Sequence, residues 1–231
     1  MSTKRLLITA GCSFTEQCSC YKWLTWPGII AHDNGMDLLN LGKAGASNSY
    51  IENIITDAVI EHKDKDPLVM VLWSQPRRVN INDLGTLLRP AHCLKKSDIP
   101  WYEDPDNLEG VYKNLKASLR SMWRTKNLVE SYKIDYVHDI GLWQINLDDW
   151  PDKPPRHTLR LINSVLEKIK DNWYFQNLDF TNSDIKTAIW GRYSQISKDD
   201  DHPDAKGQEW LADLMINKYT KRFEEVNFIY D

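Results

Sequence analysis

Four short segments of the sequence carry the residue types that acyl-transfer chemistry requires. Ser13, Gly45 and Gln75 each follow an apolar run, and Asp199 and His202 stand three positions apart near the other end of the chain. A serine hydroxyl attacks a carbonyl only when a neighbouring base takes its proton. An ordinary histidine, with a pKa of about 6.5, is mostly neutral at pH 7 and can act as that base. We therefore consider Ser13 as nucleophile, His202 as base and Asp199 as the carboxylate that orients the imidazole.

The other candidate residues can donate hydrogen bonds to the oxyanion that forms when the carbonyl is attacked. The backbone amides of Ser13 and Gly45 can point at this oxygen, and the side-chain amide of Gln75 can donate a third hydrogen bond. Losing one such donor typically lowers kcat by about 10²–10³. Glycine suits position 45 because a side chain would block the close approach of the backbone.

These residues can meet only if their loops share one edge of a sheet. Apolar runs over 5–10, 38–41 and 68–73 predict three strands, and apolar residues at helical spacing predict helices over 23–34 and 47–59 between them. The third run has no polar alternation, which is typical of a parallel strand covered on both faces. The alternating order predicts an α/β fold, a three-layer α/β/α sandwich with a mainly parallel central sheet. In such folds, ligands bind outside the carboxyl ends of the strands.

The second half of the chain continues the same pattern. Helical spacing predicts helices over 108–130 and 156–170, with a strand over 134–140 between them. After a polar loop over 182–203, Pro203 is expected to open the last helix. The sequence has no internal repeat and no linker, so we expect a single domain over residues 1–231. The segment 80–107 is expected to be an insertion over the sheet edge.

Three of these segments, in this order, resemble sequence blocks of the SGNH (GDSL-type) hydrolases. GCSFT at 11–15 resembles the first block, which holds the nucleophilic serine, and NLGKAGASN at 40–48 resembles the second, whose glycine gives an oxyanion-hole amide. DDDHP at 199–203 resembles the last block, which supplies the Asp and His of the triad. The resemblance spans nearly the whole chain. It implies a flavodoxin-like fold and a serine esterase that needs no metal or cofactor.

The third block departs from the family pattern. The family has Gly-x-Asn-Asp after the central strand, whereas this chain has Trp73, Ser74 and Gln75. Gln75 takes the place of the asparagine, and its side chain would donate from one methylene further out. Trp73 replaces the glycine and narrows the space at the end of the central strand. This version loosely resembles short single-domain proteins of tailed bacteriophages, which implies the host cytoplasm or the virion as its location.

Each candidate also has a purely structural interpretation. Ser13 could cap the first helix, Gly45 could be a turn glycine, Gln75 could be a buried residue bonded to backbone, and His202 could mark the start of a helix. The acidic run 199–201 could be a solvated loop, a charge cluster at a helix N-terminus or a weak calcium loop. Two other functions are open: an SGNH-fold module that binds a glycan or a virion or other protein, and a nucleotide-binding protein. The chain has no glycine-rich phosphate motif, which weighs against the nucleotide-binding alternative.

Composition restricts the partners. The 231 residues include 29 basic and 33 acidic side chains, a net charge of -4, which argues against a nucleic-acid binder. No apolar run approaches the ~18–20 residues of a membrane span, and the N-terminal apolar stretch is short for a signal peptide. We expect a cytoplasmic protein without membrane contact, acting on a small-molecule or carbohydrate ester. Sugar rings could stack on some of the tryptophans at 101, 143, 150 and 190.

The cysteines give a further expectation. In a reducing cytoplasm Cys12, Cys18, Cys20 and Cys93 should be free thiols, and their spacing matches no zinc site.

Overall fold

A computed structural model describes residues 4–74, 108–140, 173–178, 194–197 and 202–227. Its strands are β1 (Leu6–Ala10), β2 (Asp37–Asn40), β3 (Leu68–Leu72) and β4 (Asp135–Asp139). Its helices are α1 (Trp26–Asp33), α2 (Asn48–His62), α3 (Leu108–Ser131), α4 (Trp173–Gln176) and α5 (Ala205–Asn227). The expected insertion over 80–107 and the expected helix over 156–170 lie outside the described residues.

The four strands form one parallel sheet in the order β2–β1–β3–β4. Ile8 in β1 lies beside Leu39 in β2 and Val69 in β3, which sets the register of the three strands. Every residue of β3 is buried, because the strand has a neighbour on each side and packing on both faces. This is the physical reason why its sequence shows no polar alternation.

The connections place helices on both faces of the sheet. The connection through α1 leads from β1 to β2, and the connection through α2 leads back past β1 to β3. Because such crossovers are right-handed, α1 and α2 lie on opposite faces. Helix α3 packs against α2, and α5 packs against α1. The predicted three-layer α/β/α fold class is thus confirmed. The direction in which successive strands are added to the sheet reverses between β1 and β3, and α/β folds commonly bind ligands at such a point.

Helix α1 begins later than its apolar spacing predicts. Trp23 and Leu24 lie in the preceding loop, and Leu24 is 49% exposed. The helix starts at Trp26 because Thr25 is extended, with φ −80° and ψ 164°, and its N–H donates to the side chain of Gln17 at 3.0 Å. Side chain-to-backbone bonds of this kind compete with helix formation, and hydrophobic spacing does not register them.

Helix α5 also begins later than predicted. Its first residue is Ala205, and the Asp204 side chain caps it by accepting the Gly207 N–H at 2.9 Å. Pro203 lies outside the helix and instead pairs with Gln195 in an antiparallel bridge. An aspartate satisfies the free N–H groups of a first turn, which a proline cannot do, so the cap sets the boundary. By contrast, the start of α2 agrees with the prediction. None of the helices in the described part of the chain is both long and apolar enough to cross a membrane.

The expectation of free thiols is wrong for two cysteines. Cys18 and Cys20 form a disulfide, with Cα atoms 5.2 Å apart, which is within the range that a bridge needs. The separation follows from a tight turn in which the Tyr21 N–H donates to the Cys18 carbonyl at 3.1 Å. Cys12 is a free, buried thiol, and Cys93 lies outside the described residues.

A polar cluster joins the amino ends of β1 and β4 to α5. Arg5, just before β1, donates to the Asp135 carboxylate at 2.5 Å and to the Tyr219 hydroxyl at 2.9 Å. Tyr219, on α5, also donates to Asp135 at 3.3 Å. Partial burial acts to lower the Arg5 pKa, but the hydrogen bonds to Asp135 and Tyr219 outweigh it and raise that pKa. This cluster fixes the second half of α5 against the amino ends of β1 and β4.

Candidate active site

Ser13 lies in a tight turn directly after β1. The N–H groups of Thr15 and Glu16 both donate to the Cys12 carbonyl, at 2.9 and 3.1 Å. The turn buries Cys12 completely and leaves Ser13 partly exposed. Since α1 begins only at Trp26, Ser13 does not cap it, and the capping interpretation of this serine is wrong.

His202 contacts Ser13 although the two residues are 189 positions apart in the chain. The imidazole Nε2 and the Ser13 Oγ form a hydrogen bond of 2.9 Å. The imidazole also packs against the ring of Phe14, with ring centroids 5.3 Å apart. The 2.9 Å between Nε2 and Oγ lies within the hydrogen-bond reach that a serine nucleophile and its base require.

A short antiparallel pairing holds the backbone around His202. The Ile196 N–H donates to the His202 carbonyl at 3.0 Å, and the Asp204 N–H donates to the Ser194 carbonyl at 3.0 Å. The Ser194 hydroxyl also donates to the Asp204 carboxylate at 2.5 Å. His202 therefore belongs to a hydrogen-bonded segment that leads directly into the first turn of α5.

Asp204 connects this pairing to α5. Desolvation acts to raise the pKa of its carboxyl, but hydrogen bonds from the Ser194 hydroxyl and from the Gly207 and Lys206 N–H groups outweigh it and lower that pKa. Gly207 is required for close packing, because a Cβ there would overlap the carbonyl oxygen of Ser194.

Gly45 lies in a turn between β2 and α2. Its φ is +75°, in the left-handed region that glycine adopts without strain. The left-handed backbone is thus a second reason for a glycine at position 45. The first was the close approach of the backbone to an oxyanion, which was proposed from the sequence. The Lys43 N–H donates to the Gly11 carbonyl at 3.1 Å, and the Ala44 N–H donates to the Glu16 carboxylate at 2.8 Å. The loop that contains Gly45 is therefore bound to the turn that contains Ser13.

Asn40 strengthens the connection between the same two loops. Its side-chain NH₂ donates to the Thr15 carbonyl at 2.7 Å, and its side-chain oxygen accepts the Gly42 N–H at 2.9 Å. A Cβ on Gly42 would overlap the backbone of Thr15 and Glu16. Both residues belong to the segment that resembles the second family block, so their part in the site is to join the loops.

Two backbone N–H groups in these loops have no acceptor within the described part of the chain. Neither the Ser13 N–H nor the Gly45 N–H donates a hydrogen bond to any residue in the described ranges. Gly45 is buried, and a buried N–H without an acceptor is rare in folded proteins. These two amides therefore stay candidates for the oxyanion donors proposed from the sequence.

The third loop is anchored to the start of α2. The Asn48 side chain accepts the Ser74 N–H at 2.8 Å and donates to the Ser74 carbonyl at 2.9 Å. The indole of Trp73 is fully buried and donates to the His138 imidazole at 3.3 Å, so its bulk is accommodated beside β4. Gln75, the next residue but one, lies outside the described residues.

The structure thus brings together three of the predicted site segments. Ser13 contacts His202, and the loop of Gly45 is bound to the turn of Ser13. Asp199 lies outside the described residues, as does Gln75.

Sequence reasoning missed one buried polar residue beside the site. Gln208 on α5 is 1% exposed, and its side chain bonds to the backbone of the Ser13 turn. The sequence does indicate that Gln208 is buried, because it stands on the same apolar stripe as Leu211 and Met215, at helical spacing. It does not indicate which groups Gln208 contacts.

Comparison with known proteins gives similarities of fold. No protein-family model and no curated protein sequence matches this chain. The esterase EstA from Pseudoalteromonas sp. has a TM-score of 0.48 at 13% identity, over 96% of this chain and 100% of that one. A variant of Axe2, an acetyl xylan esterase from Geobacillus stearothermophilus, has a TM-score of 0.46 at 14% identity, over 95% and 96%. A GDSL-like lipase from Bacteroides thetaiotaomicron has a TM-score of 0.43 at 16% identity, over 94% and 89%. At these identities the similarity concerns the fold alone.

Proposed function

We propose that the protein is a serine hydrolase that cleaves a carboxylic ester by acyl transfer to Ser13. The observation that carries this proposal is the 2.9 Å hydrogen bond between His202 Nε2 and Ser13 Oγ. It joins a nucleophile and a base from opposite ends of the chain, at the carboxyl edge of a parallel sheet, where α/β folds bind ligands.

In the proposed reaction, His202 accepts and donates a proton in each of two stages. Its Nε2 takes the proton of Ser13 as the Oγ bonds to the ester carbonyl carbon. The bond from that carbon to the alcohol oxygen then breaks, and the imidazolium gives its proton to the departing alcohol. A water molecule, deprotonated by the same imidazole, then attacks the acyl carbon. The bond from that carbon to Ser13 Oγ breaks, the imidazolium returns its proton to Oγ, and the acid leaves. We assign Asp199 to accept a hydrogen bond from Nδ1, which would fix the tautomer that this sequence of steps needs.

We assign the negative charge of the tetrahedral intermediate to two backbone amides. The N–H groups of Ser13 and Gly45 support this assignment because neither bonds to a described residue. The proposed third donor is Gln75. Donors fixed before the reaction stabilise the developing charge without reorganisation, which is usually the largest single contribution to catalysis of this kind.

The substrate class that we propose is a carboxylic ester, with an O-acetyl ester on a carbohydrate as the specific candidate. The loop between the Ser13 turn and α1 carries a stacked pair of aromatic rings, Tyr21 and Trp23, with centroids 5.4 Å apart. Aromatic rings with a polar tip are suited to contact a ligand that is part apolar and part hydroxylated.

Hydrolysis of p-nitrophenyl acetate and butyrate by wild type and Ser13→Ala tests the proposal. We expect wild type to turn over and Ser13→Ala to lose at least about 10³-fold in kcat, because the nucleophile itself is removed. Ser131→Ala, an exposed serine at the end of α3, is the matched control and should retain full activity. Circular dichroism spectra should be the same for all three proteins.

Full turnover by Ser13→Ala would contradict the proposal. A folded wild type that does not react with a fluorophosphonate at Ser13 would instead favour the alternative, a binding module for a glycan or a partner protein.

A further inference from the structure

We propose that Gln208 is a positioning residue that sets the geometry of the Ser13–His202 pair. The inference rests on the proposed esterase function and assigns this residue a role in it. Gln208 lies in the first turn of α5 and is 1% exposed, and both ends of its carboxamide are used. A carboxamide has a donor and an acceptor on one rigid plane, so it can fix two backbone segments relative to each other.

The acceptor end of Gln208 caps α1. Its side-chain oxygen accepts the N–H of Trp26 at 2.8 Å, across 182 positions of sequence. Trp26 is the first residue of α1, and its N–H belongs to the group that has no partner within a helix. Thr25 occupies the N-cap position but makes no capping hydrogen bond with its side chain. Gln208 therefore does for α1 what a local cap residue ordinarily does.

The donor end of Gln208 holds the nucleophile turn. Its side-chain NH₂ donates to the Phe14 carbonyl at 3.3 Å, across 194 positions of sequence. Phe14 follows Ser13 directly, so this bond fixes the backbone on one side of the nucleophile. Phe14 itself is 2% exposed and its ring contacts the ring of His202.

These contacts close a circuit through the catalytic pair. The Gln208 N–H donates to the Asp204 carbonyl at 2.9 Å, within the first turn of α5. Asp204 stands two positions after His202, whose Nε2 bonds to Ser13. The path then returns from the Ser13 turn to Gln208 through Phe14. Because the base lies three positions before α5 and the carboxamide lies in its first turn, the carboxamide fixes how far the base lies from the nucleophile.

Two substitutions separate the positioning role from the capping role. Gln208→Glu keeps an acceptor for the Trp26 N–H, and once ionised it cannot donate to the Phe14 carbonyl. Gln208→Met is close in volume and makes neither bond. Because burial raises the pKa of a carboxyl, both variants are compared with wild type on the alkaline side, at about pH 9. We expect both variants to lose about tenfold to 10²-fold in kcat with KM within about twofold of wild type, because a displacement of about 1 Å costs a comparable factor. Only Gln208→Met also removes the cap of α1, so a loss of kcat that both variants share is assigned to the bond with the Phe14 carbonyl.

The experiment measures kcat and KM for p-nitrophenyl acetate, and the rate of fluorophosphonate labelling at Ser13, in each folded variant. Glu209→Gln, an exposed change one position along α5, is the matched control and should leave all three values unchanged. A folded Gln208→Glu with kcat within about twofold of wild type would overturn the positioning role, and so would a loss expressed only in KM.

A different result separates this inference from the proposed function. If wild type itself neither turns over nor labels, the proposed function is wrong. The Ser13–His202 distance in a crystal structure of Gln208→Glu then decides the positioning role. A distance that increases beyond hydrogen-bond reach supports it, and an unchanged distance overturns it.

Discussion

Gly35 and Gly45 both have a left-handed backbone, with φ of +61° and +75°, but they lie in different surroundings. Gly35 ends the turn after α1, and a Cβ there would meet nothing within 4 Å. Gly45 is buried beside the nucleophile turn, with an N–H that bonds to no described residue. The pair therefore separates the cost of backbone strain from the cost of losing an oxyanion donor.

Gly45→Ala should lower both stability and activity, whereas Gly35→Ala should lower stability alone. An alanine in the left-handed region costs roughly 1–2 kcal/mol, so both variants should lose a similar free energy of unfolding. Only Gly45→Ala displaces a proposed oxyanion donor, and its kcat should fall towards the ~10²–10³ loss that removal of such a donor causes. Urea denaturation and ester hydrolysis measure the two effects. Equal kcat in the two variants would exclude Gly45 from the oxyanion hole.

Ser13 and His202 could be predicted from the sequence because nucleophilic catalysis uses few types of side chain, each in a defined role. Gln208 was not found in this way. Its importance comes from two backbone groups that it meets 182 and 194 positions away, and nothing in its own segment shows those contacts.

At the scale of elements, the first turn of α5 and the segment 194–196 act together to present His202. Asp204 caps the helix and binds the Ser194 hydroxyl, so one side chain stabilises both. The sequence predicted the strands well, because long apolar runs such as 68–73 have few alternatives to a buried strand. It misplaced the starts of α1 and α5, because each is set by one side chain, Gln17 or Asp204, that bonds to nearby backbone.

Asp204→Ala should destabilise the protein by about 1 kcal/mol, the usual cost of losing an aspartate cap. Asp204→Asn retains an N-cap acceptor and removes only the charge, so it should cost less. Both free energies of unfolding come from urea denaturation at pH 7. A variant Asp204→Ala as stable as wild type would show that the cap contributes nothing.

The contribution of the Asp204 charge should depend on pH in one direction. Its folded pKa is lowered, so the carboxylate binds protons less readily in the folded than in the unfolded chain. The stability difference between wild type and Asp204→Asn should be fully present above the unfolded value of about 3.9. It should disappear as the pH falls through the lower folded pKa. A difference that instead grew on acidification would contradict the assigned direction of the shift.

At the scale of the whole molecule, α5 is bonded to the rest of the fold at two places. In its first turn Gln208 donates to the carbonyl of Phe14, the residue after Ser13, and in its second half Tyr219 joins Arg5 and Asp135 at the amino ends of β1 and β4. The alternation of strands and helices predicted the layers and the shared loop edge. It did not predict this cluster, because charged residues at strand ends have many possible partners.

Tyr219→Phe should lower the free energy of unfolding by about 1 kcal/mol and leave kcat unchanged. The change removes a partly buried hydroxyl that accepts from Arg5 and donates to Asp135, and a typical hydrogen bond contributes about that much. Tyr132→Phe, at a 39% exposed tyrosine, is the control and should change stability by less than about 0.5 kcal/mol. A loss of kcat in a fully folded Tyr219→Phe would show that the distant cluster influences the reacting groups.

The 189 positions between Ser13 and His202 also have a consequence during synthesis. A ribosome adds about 5–20 residues per second, so the hydroxyl leaves the exit tunnel about 10–40 s before the imidazole that would activate it. During that interval no imidazole lies beside the Ser13 hydroxyl. The nascent chain would therefore not react with the esters around it. Under the proposed function, reactivity with esters would begin only once α5 docks, after translation has passed its last residue, Asn227.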